Sequence, residues 1–281
     1  MTQESADVTE AQPGVHFLVG DVFAEFARHE GVHTVSQLVG RIRSGAFPGG
    51  DGVGGAAGIR MTPGQGVSLF DVEYVRDTLR RHGLADRVVV DDRVLHGRAG
   101  RELAHKHRLE NVLISRPRAA GTDVFESDLL VDAGNEVMSD HLTGQHMQGM
   151  LAMEAGRQMF IAVAEEAYLP ADAVGSRYFV IDTFSTRYRN FLFPLPAQVR
   201  CTVLAHHAPH PTRTSFHCAL ALSQGGADAV EMEVRFTAFD TRISHTKETR
   251  AAQRSLEDGM TLAAAAAATA GLPVPAGART P

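Results

Sequence analysis

The sequence predicts an α+β fold in which one long helix is wrapped by a curled antiparallel sheet, with a mostly helical N-terminal extension in front. Three observations carry this. The stretch 149–164, GMLAMEAGRQMFIAVA, is apolar on nearly every face, the pattern of a buried helix. Five β-type runs follow it, at 178–184, 186–193, 198–206, 215–223 and 229–239, joined by connections short enough for hairpins. Several of them alternate, as Glu231, Glu233, Arg235 and Thr237 do against Met232, Val234 and Phe236, which gives one buried and one solvated face. A sheet curled around a single helix buries both apolar surfaces at once.

In chain order, residues 1–15 are polar and acidic and read as a disordered lead, neither a signal peptide nor a transit peptide. From Val19 to Arg43 the apolar spacing is helical (Val22, Phe23, Phe26, then Val35, Leu38, Val39, Ile42), with Thr34 or Ser36 as a cap. The glycine-rich stretch 45–58 raises a phosphate cradle, but no apolar strand precedes it and no helix starts directly after it, so it reads as a flexible loop. Residues 68–83 form an amphipathic helix stopped at Gly83, and 88–90 a short strand. The region 16–104 carries no chemical motif. Beyond it, 105–246 is the main α+β domain, with strand candidates at 111–115 and 124–131 and the long helix at about 145–168. Residues 247–281 read as a helix followed by a Pro/Gly-rich disordered tail.

The 281 residues (30.2 kDa) suffice for one large domain or two small ones. With 44% hydrophobic and 21% charged residues the composition is that of an ordinary soluble chain. Lys and Arg number 27 against 33 Asp and Glu, a net charge of −6 that argues against nucleic acid or a membrane surface as partner. No run approaches the ~18 apolar residues of a spanning helix. Cys201 and Cys218 are the only cysteines, which points to a reducing cytoplasm and no zinc module. They fall in β-type runs with no His/Asp pattern beside them and are expected to be dispensable.

On the long helix only Glu154, Arg157 and Gln158 are polar. Glu154 and Arg157, spaced i, i+3, meet on one face. They are either a structural ion pair, with Gln158 satisfying a backbone edge, or the polar lining of a substrate cavity. Just before the helix lies the polar stretch 135–146, with Asp140, His141 and His146. His141 is a candidate general base, and the free N–H groups at the helix start near Gly149 suit a carbonyl oxygen. The opposing reading makes Asp140 or Thr143 a helix cap and the histidines surface residues. His141, His146 and Glu154 also raise a metal site, but their spacing is not a recognised ligand pattern and no metal is expected.

Three segments, HKHRLENVLIS (105–115), SDHLTGQHMQGMLAMEAGRQ (139–158) and RYRNFLFPLP (187–196), resemble the A-factor biosynthesis (AfsA-type) hotdog family. Its E-A-x-R-Q signature is here Glu154-Ala155-Gly156-Arg157-Gln158, preceded by Asp140-His141. The resemblance implies a hotdog fold and acyl-thioester chemistry on carrier-protein-bound chains. Glu154 and Arg157 sit where that family's proposed functional glutamate and arginine lie. The same stretch is similar to β-hydroxyacyl-carrier-protein dehydratases, although their G-H-F-P turn is replaced by Asp140-His141-Leu142-Thr143 and the His-to-Glu distance is one residue shorter; His146 is then a substitute for His141. Residues 1–104 hold no second E-A-x-R-Q, so a single hotdog that pairs with a partner protomer, identical or related, is expected.

The first functional expectation is dehydration of a β-hydroxyacyl chain on an acyl carrier protein. His141 would be the base and Glu154 the acid, with Asp140, His146, Gly149, Arg157 and Gln158 binding substrate. The alternatives are AfsA-type β-ketoacyl transfer towards a γ-butyrolactone, thioester hydrolysis, and a non-catalytic acyl-binding subunit. No cofactor is expected beyond the phosphopantetheine that carries the substrate.

Overall fold

The computed structural model describes residues 14–47, 58–138, 144–170 and 175–269. Two sheets organise the chain. The first is a four-stranded parallel sheet in the order β2-β1-β3-β4, made of β1 (Gly14–Val19), β2 (Val32–Thr34), β3 (Ile59–Pro63) and β4 (Val88–Val90). Two helices, α1 (Val35–Arg43) and α2 (Leu69–Arg81), bury Val35, Leu38, Val39, Ile42, Val72, Val75 and Leu79 in its core. Both begin with a reciprocal capping box, Thr34 with Gln37 and Ser68 with Asp71. Gly83, at φ 68°, follows the end of α2 as expected.

The helices α1, capped at Thr34, and α2 are therefore present as expected, but the helical reading of the part from Val19 to Phe26 is corrected. The chain before α1 is β1, two short 3-10 turns (Asp21–Phe23 and Phe26–Arg28) and β2. The apolar run around Phe17 and Leu18 is too short for periodicity to separate strand from helix. Its pairing with β2 on one side and β3 on the other is non-local and has no local sequence signal.

The second sheet is six-stranded and antiparallel, in the order β5-β6-β8-β9-β10-β7. Its strands are β5 (Arg118–Gly121), β6 (Val124–Asp128), β7 (Arg177–Tyr188), β8 (Gln198–His210), β9 (Arg213–Gln224) and β10 (Ala227–Asp240). Along β10, Val230, Met232, Val234 and Phe236 are buried while Glu233 and Arg235 are exposed, so the predicted alternation holds as far as Phe236. Thr237, expected on the solvated face, is buried, because the pairing with β7 shifts register between Arg235 and Phe236. The central helix α3 (Gly149–Val163) lies on the buried face, with Phe160 stacked on Phe236 at 4.4 Å and Phe216 on Phe236 at 4.9 Å between ring centroids. This is the hotdog arrangement.

Several boundaries differ from the sequence reading. The helix starts four residues later, at Gly149, and closes in a π-helical turn, Ala164–Tyr168. The runs 178–184 and 186–193 are one strand and a following turn, because Arg189 and Asn190 both donate backbone N–H to the Ala229 carbonyl. Residues 111–115 are not a strand but a 3-10 turn and an isolated bridge, since part of their backbone bonds to the Gln158 side chain instead of a ladder. The C-terminal helix α4 (Thr241–Thr269) follows β10 directly. The expected lead up to residue 13, most of the glycine-rich loop (48–57) and the tail from 270 lie outside the described residues. No helix among the described residues is long and apolar enough to cross a membrane.

The extension is fastened to the hotdog through Gly64-Gln65-Gly66. The Gln65 side chain is buried and donates to the carbonyls of Leu129 (3.0 Å) and Leu195 (3.2 Å), while its Oε1 accepts from Val131 N (2.8 Å). Its own backbone N–H donates to Pro194 O (3.0 Å). A Cβ on Gly64 would stand 2.1 Å from Pro194 O, so only glycine fits that approach. Gln65→Leu leaves the Leu129 carbonyl and the Val131 N–H without partners, at roughly 1–3 kcal/mol each, while the Leu195 carbonyl keeps its bond from the Gln224 amide. It is expected to lower the urea midpoint strongly while both halves still unfold in one transition, as followed by circular dichroism.

Candidate active site

A carboxylate on an apolar buried helix must be matched where it stands, and Glu154 is matched four times. Arg157 donates Nε to Oε2 (2.8 Å) and Nη2 to Oε1 (2.9 Å). Gln158 Nε2 donates to Oε1 at 2.9 Å, and Lys106 Nζ lies 2.7 Å from the same oxygen. Burial opposes the charge on Glu154, but the Arg157 guanidinium, with Lys106 and the Gln158 amide, outweighs it and holds the pKa at about 2, from an ordinary 4.5. The Glu154 side chain keeps 20% of its exposure, so it is reachable from outside.

Gln158 is fully buried and ties this cluster to the segment that crosses the helix. Its Oε1 accepts from Leu113 N and its Nε2 donates to Asn111 O, both at 2.8 Å. Arg157 Nη2 reaches Ala104 O at 3.4 Å. The backbone-edge role foreseen for Gln158 is thus realised together with the Glu154–Arg157 pair. Lys106 was not singled out from the sequence: nothing in one chain reveals that a lysine forty-eight residues upstream folds onto Glu154. The only available signal was its place in the HKH run that carried the resemblance.

A second feature lies at the start of α3. An open groove of about 740 Å³ is lined by His146, Gly149, Met150, Tyr188, Phe191 and Leu192, among others. The His146 ring tilts against Phe191 at 4.9 Å, and Tyr188 donates its hydroxyl to Gly149 O at 3.0 Å. A Cβ on Gly149 would come within 2.7 Å of the Tyr188 ring, so glycine there lets the ring lie against the helix start. Gln148 occupies the N-cap without a side-chain cap and donates its amide to Val137 O instead. No side chain caps the start of α3, whose first residues Gly149 and Met150 line the groove.

The expected site residues thus fall in two places. His146 and Gly149 line the groove; Glu154, Arg157 and Gln158 form the clamp against residues 104–113. His146 and Glu154, two members of the metal reading, do not share the groove's lining. Asp140 and His141, with the alternative cap Thr143, lie outside the described residues. Cys201 and Cys218 are buried, and the hydrogen bond that the Cys201 thiol donates to Cys218, together with desolvation, pushes the Cys201 thiol well up. Neither carries the marks of an activated nucleophile.

Two outcomes follow from this geometry. Because the folded pKa of Glu154 is depressed, its contribution is fully present above about 4.5 and is lost as pH falls through about 2. The depression corresponds to about 3 kcal/mol. Stability of the wild type is expected to fall across that window, and Glu154→Gln, already weaker at neutral pH, to lack that component in urea titrations at each pH. Both thiols are expected to stay unmodified by a thiol reagent at neutral pH until the protein is unfolded, as read by intact mass.

The model of the A-factor biosynthesis hotdog domain matches residues 90–240. No curated protein sequence matches the chain. Among solved structures, a conserved protein from Pseudomonas aeruginosa is similar over 50% of this chain and 100% of its own, at 18% identity and a TM-score of 0.35. A mutant thioesterase from the same organism is similar over 48% and 87%, at 11% identity and 0.35. A thioesterase from Haemophilus influenzae is similar over 46% and 79%, at 12% identity and 0.29. With its long helix, its six-stranded antiparallel sheet and a family match over more than half its length, the chain belongs to the A-factor biosynthesis hotdog family.

Proposed function

We propose that this chain cleaves an acyl thioester, borne on the phosphopantetheine of an acyl carrier protein, and passes the acyl group to an oxygen nucleophile. The observation that carries this reading is the set of four donor atoms on the Glu154 carboxyl, two from Arg157 and one each from Gln158 and Lys106. They hold its pKa well below the ordinary carboxylate range, so that it is ionised at pH 7. Dehydration, the first expectation from the sequence, needs an acid to protonate the leaving hydroxyl, and Glu154 does not fill that part. Thioester cleavage by an alcohol or by water needs no such acid at the hydroxyl. It needs a polarised carbonyl, a polar pole beside it and a group that accepts the nucleophile's proton.

The groove at the start of α3 supplies an apolar wall for an acyl chain, with Met150, Phe191 and Leu192. The Lys106 ammonium and the Arg157 guanidinium of the clamp supply the polar pole and the donors for the thioester oxygen. No cofactor is required beyond the carrier arm.

The site is completed by a second protomer. β7 is an outer strand, paired only with β10, and it exposes Tyr178, Val180, Ile181 and Tyr188. A long apolar edge of this kind invites pairing with another chain. Edge-to-edge pairing of two β7 strands would bring the two grooves, each lined by Tyr188, to the same seam.

Two measurements check this. Incubation with β-ketoacyl- and β-hydroxyacyl-carrier proteins, with and without alcohol acceptors, is expected to leave free carrier thiol and an ester or acid, as weighed on the phosphopantetheine arm. Loss of one water mass with the chain still attached would return the function to dehydration, and no change would make the chain an acyl-binding subunit. Ile181→Lys is expected to shift the sedimentation coefficient from dimer to monomer; a wild-type monomer would remove the shared seam.

A further inference from the structure

Outside the clamp and the groove, one pair of side chains stands out. Glu165, in the π-helical turn that closes α3, is 1% exposed. Its Oε1 accepts from the Gly175 backbone N–H and from His105 Nε2, both at 3.0 Å. Its Oε2 is buried with no hydrogen-bond partner, an expensive condition for a carboxyl group unless it has work to do. Glu165 also lines a cavity of about 390 Å³, with Glu102, Arg116 and Glu166. π-turns recur at functional sites because they redirect a side chain that a regular helix would place elsewhere.

His105 is the other half. Its backbone sits at φ 52°, one of only two non-glycine residues in the left-handed region among those described, a conformation that costs a side-chain-bearing residue strain. That conformation turns the imidazole onto Glu165. The bond to a carboxylate makes Nε2 the N–H donor and leaves Nδ1 as the ring's basic nitrogen. The ring packs edge-on to Phe179 of β7, and the side chain keeps 25% of its exposure. It opens on a polar pocket of about 540 Å³ shared with Arg101, Glu102, Lys106, His107 and Gly175.

The two centres adjoin. Residues 104, 105 and 106 contact, in order, Arg157, Glu165 and Glu154. Glu154, Gln158 and Glu165 are spaced to fall along one side of the helix. The Glu154 carboxylate, saturated by four donors, is a poor proton acceptor, whereas an imidazole oriented by a carboxylate is a good one.

We propose that His105 and Glu165 are the proton-transfer dyad of this enzyme, His105 as the catalytic base and Glu165 as its positioning residue; this rests on the acyl-transfer reading above. As the acceptor's hydroxyl oxygen forms a bond to the thioester carbon, its proton passes to His105 Nδ1. When the C–S bond breaks, the departing sulfur takes that proton from the imidazolium, giving an ester (or, with water, an acid) and the free carrier thiol. The charged and titratable groups facing His105 are Glu165 from the helix and Arg101, Glu102, Lys106 and His107 from its own segment and pocket. Phe179 contributes only an apolar edge.

The test uses the full chain in the carrier-protein assay. His105→Gly suits the left-handed backbone, so it keeps the fold, and it is expected to lose activity roughly 10²-fold or more and to regain part of it with free imidazole. Glu165→Gln keeps the shape but replaces the carboxylate that orients the ring. Its activity is expected to fall, and Glu165→Asp to restore part of it. A wild type that turns over while His105→Gly matches it, or while the His105→Gly loss resists imidazole, or while Glu165→Gln keeps full activity, overturns the dyad alone. A wild type that leaves every acyl-carrier substrate unchanged overturns the acyl-transfer reading and the dyad's role in it together.

Discussion

The structure depends on how one carboxylate is kept charged inside an apolar helix. Leaving Glu154 unpaired in that position costs several kcal/mol, so the fold must bring cations and donors to it. Arg157 and Gln158 come from the next turn of α3, and Lys106 comes from a segment that would otherwise have no reason to cross the helix. Once Lys106 is drawn in, Gln158 bonds the backbone at Asn111 and Leu113, and Arg157 reaches Ala104. The run 104–113 is thereby fixed along one side of α3, and His105 is carried to Glu165 with it. The same linkage explains why residues 111–115, β-type in composition, do not form a strand.

The hotdog half supports this site from the other side. Phe160, Phe216 and Phe236 stack across the sheet and hold α3 at fixed depth. Gly149 lets the Tyr188 ring lie against the helix start, and both line the groove. The parallel-sheet extension is welded to the opposite end through Gln65, whose amide bonds backbone at Leu129, Leu195 and Val131. It therefore fixes residues 129–131, directly after β6.

Much of the hotdog half was legible because its signals are local. The all-round apolar helix, the alternation along β10 and the i, i+3 spacing of Glu154 and Arg157 are all read from neighbours in sequence. Of the N-terminal sheet only β4 (Val88–Val90) was legible; β1, β2 and β3 are three to six residues long and find their parallel partners far away in sequence, which leaves no local signal. Lys106 and the His105–Glu165 pair were missed for a related reason: each contact joins residues 48 and 60 positions apart. The charge state of Glu154 was also beyond sequence reasoning. The Glu-Arg spacing allowed either an acid or a fixed anion, and only the convergence of four donors decides for the anion.

That ionised Glu154 is the central claim, and it is open to direct observation. Carbon-13 labelling of the glutamate side chains, with Glu154→Gln to assign the resonance, allows its carboxyl to be titrated by NMR. The account predicts a carboxylate signal that persists down to about pH 2. A midpoint at or above the ordinary 4.5 would mean that Glu154 can hold a proton at working pH, and would contradict the account.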